Sequence, residues 1–133
     1  MQVRSVLASV SLLAGALVAL SGAPAQAAST TQYVSPSGTD SAAGTQSAPT
    51  TLATAISRIA SGGTIYLRGG TYNYSTTVTI PAGSNGTSGA RTTLSAYPGE
   101  TPVLNFSAQS ESPANRGLQL MASYWHVYGI TVE

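Results

Sequence analysis

Cysteine and lysine are both absent from this chain of 133 residues. Without cysteine, no disulfide can hold a secreted domain together, so its core or structural repetition must stabilise it. Charged side chains are also scarce, at 7% of residues, and five arginines nearly balance four carboxylates. Because no basic cluster exists, the sequence gives no electrostatic basis for binding nucleic acid.

The first 27 residues have the pattern of a secretory signal peptide. Arg4 supplies the positive start, an apolar stretch covers residues 5–20, and Ala25-Gln26-Ala27 matches a cleavage site. The apolar stretch is short for a membrane span. We therefore predict a secreted, extracellular protein in which residues 1–27 are removed and residues 28–133 form one small domain.

One helix is predicted near the start of the mature chain. Thr50 or Thr51 can cap it, because a threonine oxygen accepts free backbone N–H groups of the first turn. The apolar residues that follow are spaced as one helical face: Leu52, Ala55, Ile56, Ile59 and Ala60. Gly62-Gly63 is expected to end the helix.

After Gly63 the pattern changes to alternation with a period of two, which predicts strands. The predicted strands cover 64–68, 77–80, 92–97, 103–106, 118–121 and 125–133, preceded by a short strand at Tyr33-Val34. Inward positions are assigned to residues such as Leu94, Leu104, Phe106 and Leu120. At Gly129 the inward parity shifts, which predicts a bend or bulge.

The strand starts form two series, one near residues 64, 92 and 118 and the other near 77, 103 and 127–129. The interval of roughly 26 to 28 residues lies within the range typical of solenoids. One face of each strand is apolar and the other polar, unlike a parallel sheet covered by helices on both sides. We predict an all-β fold, a parallel β-helix with one capping helix at its N-terminal end. The alternative is an antiparallel β-sandwich, whose hairpins need shorter loops than these.

Several segments resemble the start of the family 9 polysaccharide lyases, which are secreted pectate lyases with a right-handed parallel β-helix. The matching segments are Gly62-Gly63-Thr64-Ile65-Tyr66-Leu67-Arg68-Gly69-Gly70-Thr71-Tyr72, Asn85-Gly86-Thr87-Ser88-Gly89-Ala90-Arg91 and Tyr124-Trp125-His126, with further similarity in 33–40, 49–56, 96–104 and 115–120. The first block is shared, in looser form, by many secreted β-helix proteins. Its combination with the other two narrows the resemblance to this lyase family and its close relatives.

The resemblance implies cleavage of pectate by β-elimination, with a lysine as base and calcium held by clustered aspartates. This chain has no lysine, and its mature part has only four carboxylates, at 40, 100, 111 and 133. Calcium takes about 6–8 oxygen ligands, carboxylates prominent among them. We therefore assign no catalytic and no metal residue to this chain, and expect calcium to bind only in a full-length protein.

Arg68, Arg91 and Arg116 could each pair with a galacturonate carboxylate through two hydrogen bonds, and Arg68 is the best of these three candidates for substrate binding because it points outward from a strand. Arg91 and Arg116 are interpreted as stabilising loops. Asp40 lies in a turn, where we expect its side chain to accept hydrogen bonds from nearby backbone N–H groups.

His126 is interpreted as an outward strand residue, since the local sequence offers it no partner for acid–base chemistry. Trp125, Tyr66 and Tyr97 have rings that can stack on sugars. Packing between coils is the commoner use of such rings, and we predict that use here.

The sequence as a whole is interpreted as the N-terminal part of a secreted pectate lyase, truncated in the middle of a strand and inactive by itself. We expect the full-length protein to be a monomer acting on an acidic plant polysaccharide, and the open last coil to make this chain poorly soluble. Two alternatives are a non-catalytic β-helix for adhesion or carbohydrate binding, and a β-helix glycoside hydrolase.

Overall fold

The computed structural model describes residues 28–133, so the predicted signal peptide lies outside the described residues. Nine strands and one helix occur in the described part of the chain. In chain order they are β1 (Ser29–Val34), α1 (Leu52–Arg58), β2 (Ile59–Leu67), β3 (Gly70–Asn73), β4 (Val78–Ile80), β5 (Thr92–Ala96), β6 (Pro102–Asn105), β7 (Leu118–Leu120), β8 (Trp125–Tyr128) and β9 (Thr131–Val132).

The strands form three sheets, and every neighbouring pair of strands is parallel. Sheet A has the order β1-β2-β5-β8, sheet B has β3-β6-β9, and sheet C has β4-β7. The chain visits A, B and C in turn before returning to A, so each circuit adds one strand to each sheet. The predicted parallel β-solenoid is therefore confirmed, and the antiparallel sandwich is excluded.

The predicted grouping of the strands into two series is wrong. Leu118 pairs with Val78, and Trp125 pairs with Thr92, so residues 92 and 118 do not belong to one sheet. Each complete coil has three strands, one in each sheet. The strand that was not predicted is β3 in the first complete coil, where a turn was expected. Only Tyr72 in this four-residue strand is buried, so its sequence shows almost no apolar alternation.

Helix α1 begins as predicted, with Thr51 as its cap: the Thr51 side-chain oxygen accepts a hydrogen bond from the Thr54 backbone N–H. It ends at Arg58, earlier than the predicted end at Gly62-Gly63. Ile59 already has an extended backbone and opens β2. Pairing with β1 begins at this point, so ladder hydrogen bonds replace a further helical turn, and Gly62 at φ 82° lies where the register shifts.

Side chains that point inward form rows across successive coils. In sheet A, Ile65, Leu94 and Val127 occupy one row. Tyr72 and Leu104 occupy another in sheet B. Leu94 and Leu104 are fully buried and Phe106 nearly so, as predicted. Leu120 has the inward register but is 46% exposed, because no further described strand stacks on β7.

The two ends of the solenoid differ. Leu52, Ala55 and Ile56 of α1 pack against the first coil, which confirms the predicted cap. The free edge of β1 is also covered, because the Tyr33 backbone bonds with Gly44 and Thr50 of the following loop. The large exposed hydrophobic side chains instead lie towards the C-terminal end, in and after β7: Leu120, Met121, Tyr124, Tyr128 and Val132.

Gly129 bends the chain between β8 and β9 with φ 74°, as predicted. Within residues 28–133, no helix has the length and apolarity needed to cross a membrane.

Candidate functional site

The outward side of sheet A carries a group of aromatic side chains, of which Tyr33 and Tyr66 are half-buried and Tyr128 is exposed. Tyr33, Tyr66, Ser95 and Tyr128 are in register on four successive strands. The rings of Tyr33 and Tyr66 stack with centroids 5.5 Å apart, and Tyr97 lies 6.1 Å from the first and 5.9 Å from the second. We call this surface, with His126, the tyrosine face.

Arg68 lies at one border of the tyrosine face and is held by Glu100 of the next coil. Its Nε and Nη2 atoms each donate to one carboxylate oxygen, both at 2.9 Å. Its guanidinium carbon also lies 4.7 Å from the centre of the Tyr97 ring. The two hydrogen bonds that were predicted with a sugar carboxylate are thus made with Glu100. Binding of sugar by Arg68 therefore stays a prediction.

Glu100 also joins the two coils through a third hydrogen bond, which comes from the backbone. Its Oε1 atom accepts from the Gly69 backbone N–H at 2.7 Å. The hydrogen bonds from Arg68 and then from Gly69 hold the pKa of Glu100 below its ordinary value. Both partners of the ion pair remain about a third exposed, so water screens their attraction and the pair is mainly a geometric clamp.

Asp40 bonds to partners other than those predicted. Its Oδ1 atom accepts hydrogen bonds from the hydroxyl groups of Thr51 (2.5 Å) and Thr54 (2.8 Å), not from neighbouring backbone N–H groups. These bonds lower the pKa of Asp40. The difference arises because the loop folds back on the start of α1, which places hydroxyl groups distant in sequence beside the carboxylate. Asp40 therefore anchors this loop.

The two arginines that were interpreted as stabilising loops, Arg91 and Arg116, differ in their contacts. Arg116 donates to the carbonyl oxygen of Pro113 at 2.7 Å and so stabilises its own loop, as predicted. Arg91 is exposed immediately before β5, at the border of the tyrosine face opposite to Arg68.

The aromatic predictions are confirmed. Trp125 is buried and donates its indole N–H to the carbonyl oxygen of Ser84, and Tyr66 and Tyr97 pack on rings of other coils. His126 is exposed and points outward, with its ring 4.6 Å from that of Tyr128. Tyr33 and Tyr128 were not predicted from the sequence to belong to a site, although both have the same outward parity as Tyr66.

Apart from the tyrosine face, a concavity with a volume of about 340 Å³ lies between α1 and β4. Hydroxyl and apolar groups line it, among them Ile56, Tyr74, Thr77 and Thr79. Burial raises the pKa of Tyr74 to about 12, so its phenol stays neutral at ordinary pH. With no acid or base of suitable pKa among its lining residues, this concavity does not support proton-transfer chemistry.

The described residues do not fit a calcium site. No group of three or more histidine and carboxylate side chains comes together in residues 28–133. Asp40 is bound by threonine hydroxyls and Glu100 by Arg68. Glu111 lies in the loop after β6, and Glu133 follows β9. With no lysine in the sequence, the base implied by the resemblance is also missing.

Residues 32–133 match the family model described as the Pel9A-like, right handed beta helix region. The chain belongs to this family. Pectate lyase L of Paenibacillus polymyxa (strain SC2) is 52% identical to it over 120 residues, which cover 86% of this chain and 27% of that protein. Pectate lyase PEL9 of Emericella nidulans is 36% identical over 110 residues, 74% of this chain and 26% of that protein.

Solved structures agree with the family. The crystal structure of pectate lyase Pel9A has a TM-score of 0.64 and 27% identity, covering 75% of this chain and 27% of that one. A rhamnogalacturonan lyase has the same TM-score at 22% identity, covering 78% of this chain and 28% of that one, so it shares the fold alone. This Pel9A-like chain thus spans about a quarter of the length of these two pectate lyases.

Proposed function

We propose that this Pel9A-like chain is the N-terminal part of a secreted polysaccharide lyase that cleaves pectate. The observation that carries the proposal is its 52% identity, over 86% of the chain, to a protein named Pectate lyase L. The solenoid supports the proposal because the family match and the coil architecture cover the same residues.

In this proposal residues 28–133 supply the capped end and the first coils, while the chemical groups lie elsewhere in a longer protein. Cleavage by β-elimination needs a base that removes the proton next to the uronate carboxylate. Calcium would make that proton more acidic by neutralising the carboxylate. Because the described residues hold neither a lysine nor clustered carboxylates, we propose that this chain alone is inactive.

The full-length protein would act outside the cell on an acidic plant polysaccharide, as a monomer. The near-neutral charge and the lack of a basic cluster argue against nucleic acid as a partner. The pattern of residues 1–27, which is that of a secretory signal peptide, supports an extracellular location.

The proposal is tested by release of unsaturated uronate from polygalacturonate in the presence of calcium. Two proteins are compared: this chain alone, and a chimera in which it replaces the matching quarter of Pectate lyase L from Paenibacillus polymyxa. We expect turnover by the chimera and none by the chain alone. Turnover by the chain alone would refute the proposed inactivity, and a folded chimera without turnover would refute the assignment to a pectate lyase.

A glycoside hydrolase is the second candidate, since one solved structure of that title has a TM-score of 0.52 at 28% identity, over 58% of this chain and 15% of that one. A second chimera separates the two classes: this chain replaces the matching segment of that glycoside hydrolase, and release of saturated sugars is measured. Turnover by the hydrolase chimera together with an inactive, folded lyase chimera would favour the hydrolase.

A further inference from the structure

Aromatic rings are unevenly distributed over the outside of the solenoid. The tyrosine face carries four tyrosines and His126, on or beside sheet A. The outward positions of sheets B and C instead hold Thr71, Asn73, Val103, Asn105, Thr79 and Gln119. One side of the described residues is therefore built to present rings, and the other two sides are not.

The rings are held in place before any ligand arrives. Tyr33, Tyr66 and Tyr97 lie within about 6 Å of one another, and the Tyr97 hydroxyl accepts a hydrogen bond from Gln46 at 2.8 Å. Tyr128 packs beside His126 and remains 51% exposed. Rings fixed in this way lose little conformational entropy when a ligand binds, which favours binding.

The charges around this face suit an anionic ligand. Arg91 and Arg68 lie at its two borders, and Glu100 is already paired with Arg68. The remaining carboxylates of the described residues, Asp40, Glu111 and Glu133, lie outside sheet A. An acidic ligand would meet the charge of Arg91 at one side of the rings, while the charge of Arg68 is balanced by Glu100, and no uncompensated carboxylate lies among the rings.

We propose that the tyrosine face binds an acidic polysaccharide whose chain runs along the solenoid axis. Successive strands of a sheet are about 4.8 Å apart, close to the length of one pyranose unit, so consecutive sugars can meet consecutive coils. The tyrosine face is then a contact for the polymer on the coils formed by residues 28–133. Only the identity of the polymer, polygalacturonate, rests on the proposed function.

The test is calorimetric titration of the chain with galacturonate oligomers in the presence of EDTA, so that calcium cannot bridge ligand and protein. Tyr128→Ala is compared with Leu120→Ala, because the two side chains are 51% and 46% exposed, but Leu120 lies in β7 of sheet C and so off the face. We expect roughly three- to tenfold weaker binding for Tyr128→Ala and unchanged binding for Leu120→Ala.

Charge is tested with a second matched pair, Arg91→Gln and Arg116→Gln, both exposed before substitution. We expect weaker binding only for Arg91→Gln, and a loss of affinity with added salt. A neutral galactan is the ligand control and should not bind. Thermal melts of all variants establish that they remain folded.

Three results would overturn the proposal: no binding of galacturonate oligomers by the unsubstituted chain, equal losses for Leu120→Ala and Tyr128→Ala, or equal binding of galactan. The chimera assay distinguishes this failure from that of the proposed function. An active chimera without oligomer binding overturns the tyrosine face alone, whereas oligomer binding with an inactive chimera overturns the lyase alone.

Discussion

Leu94→Ala tests whether stacked rows of inward side chains hold this solenoid together. Leu94 is fully buried in sheet A, with Ile65 in register on the coil before it and Val127 on the coil after it. Its removal leaves a cavity between two coils, and neither neighbour can fill that space without shifting its strand. The substitution therefore weakens contacts with both neighbouring coils at once.

The expected loss follows from the burial of this side chain. Substituting a buried leucine by alanine lowers the free energy of unfolding by about 2–5 kcal/mol. A small domain has about 5–15 kcal/mol in total, so the loss is a large fraction. For a domain of this size, each kcal/mol lowers the Tm by about 4–8 °C, and we expect a decrease on the order of 10 °C or more.

Leu120→Ala is the matched control, because Leu120 also lies in a strand with an inward register but is 46% exposed. Its substitution is expected to lower the free energy of unfolding by under about 1 kcal/mol. Thermal unfolding of both variants, followed by circular dichroism at one concentration, measures the difference. Equal Tm values for the two variants would show that the rows are not the source of stability.

Other parts of the structure give further predictions. Because the pKa of Glu100 is lowered in the folded state, its stabilising contribution is complete above the ordinary glutamate pKa and is lost as the pH falls below about 4. Glu100→Gln should flatten the decrease in Tm over that range, and an unchanged acid profile would contradict the role of the Arg68 pair. A methyl group at Gly86 would lie 2.4 Å from the Tyr124 carbonyl oxygen, so Gly86→Ala should lower the Tm; a neutral result would mean that the loop is not packed as described. Tyr72→Phe removes a hydroxyl that lies 2.7 Å from the Arg68 carbonyl oxygen and should reduce the free energy of unfolding in denaturant titrations by about 1 kcal/mol. A variant as stable as the parent would contradict that bond.

The elements with a strong local signal were predictable from the sequence. Thr51 begins α1 because its side chain satisfies a backbone donor of the first turn, which depends on neighbouring residues only. Likewise, Ile65 and Leu67 alternate with polar residues and are buried as predicted. The parallel direction of the strands also followed, because the loops are too long for hairpins.

The strand pairing was not predictable in the same way. Strand β3 begins at Gly70 and buries only Tyr72, so its extended conformation depends on hydrogen bonds with β6 on the next coil. The end of α1 depends in the same way on pairing with β1. Partners that lie some thirty residues or more away leave no periodic signal in such short segments.

For the candidate site, the sequence by itself determined what this chain lacks. The absence of lysine excludes the implied base from residues 28–133, whatever the fold. The separation of the four carboxylates is a result of the tertiary structure, because no three of them come together among the described residues. Only the tertiary structure decided which rings and charges meet. It pairs Arg68 with Glu100, places Tyr33, Tyr66 and Tyr128 in one register, and brings Tyr97 against them. These contacts join different coils, and their geometry is set by the stacking of strands rather than by any local sequence pattern.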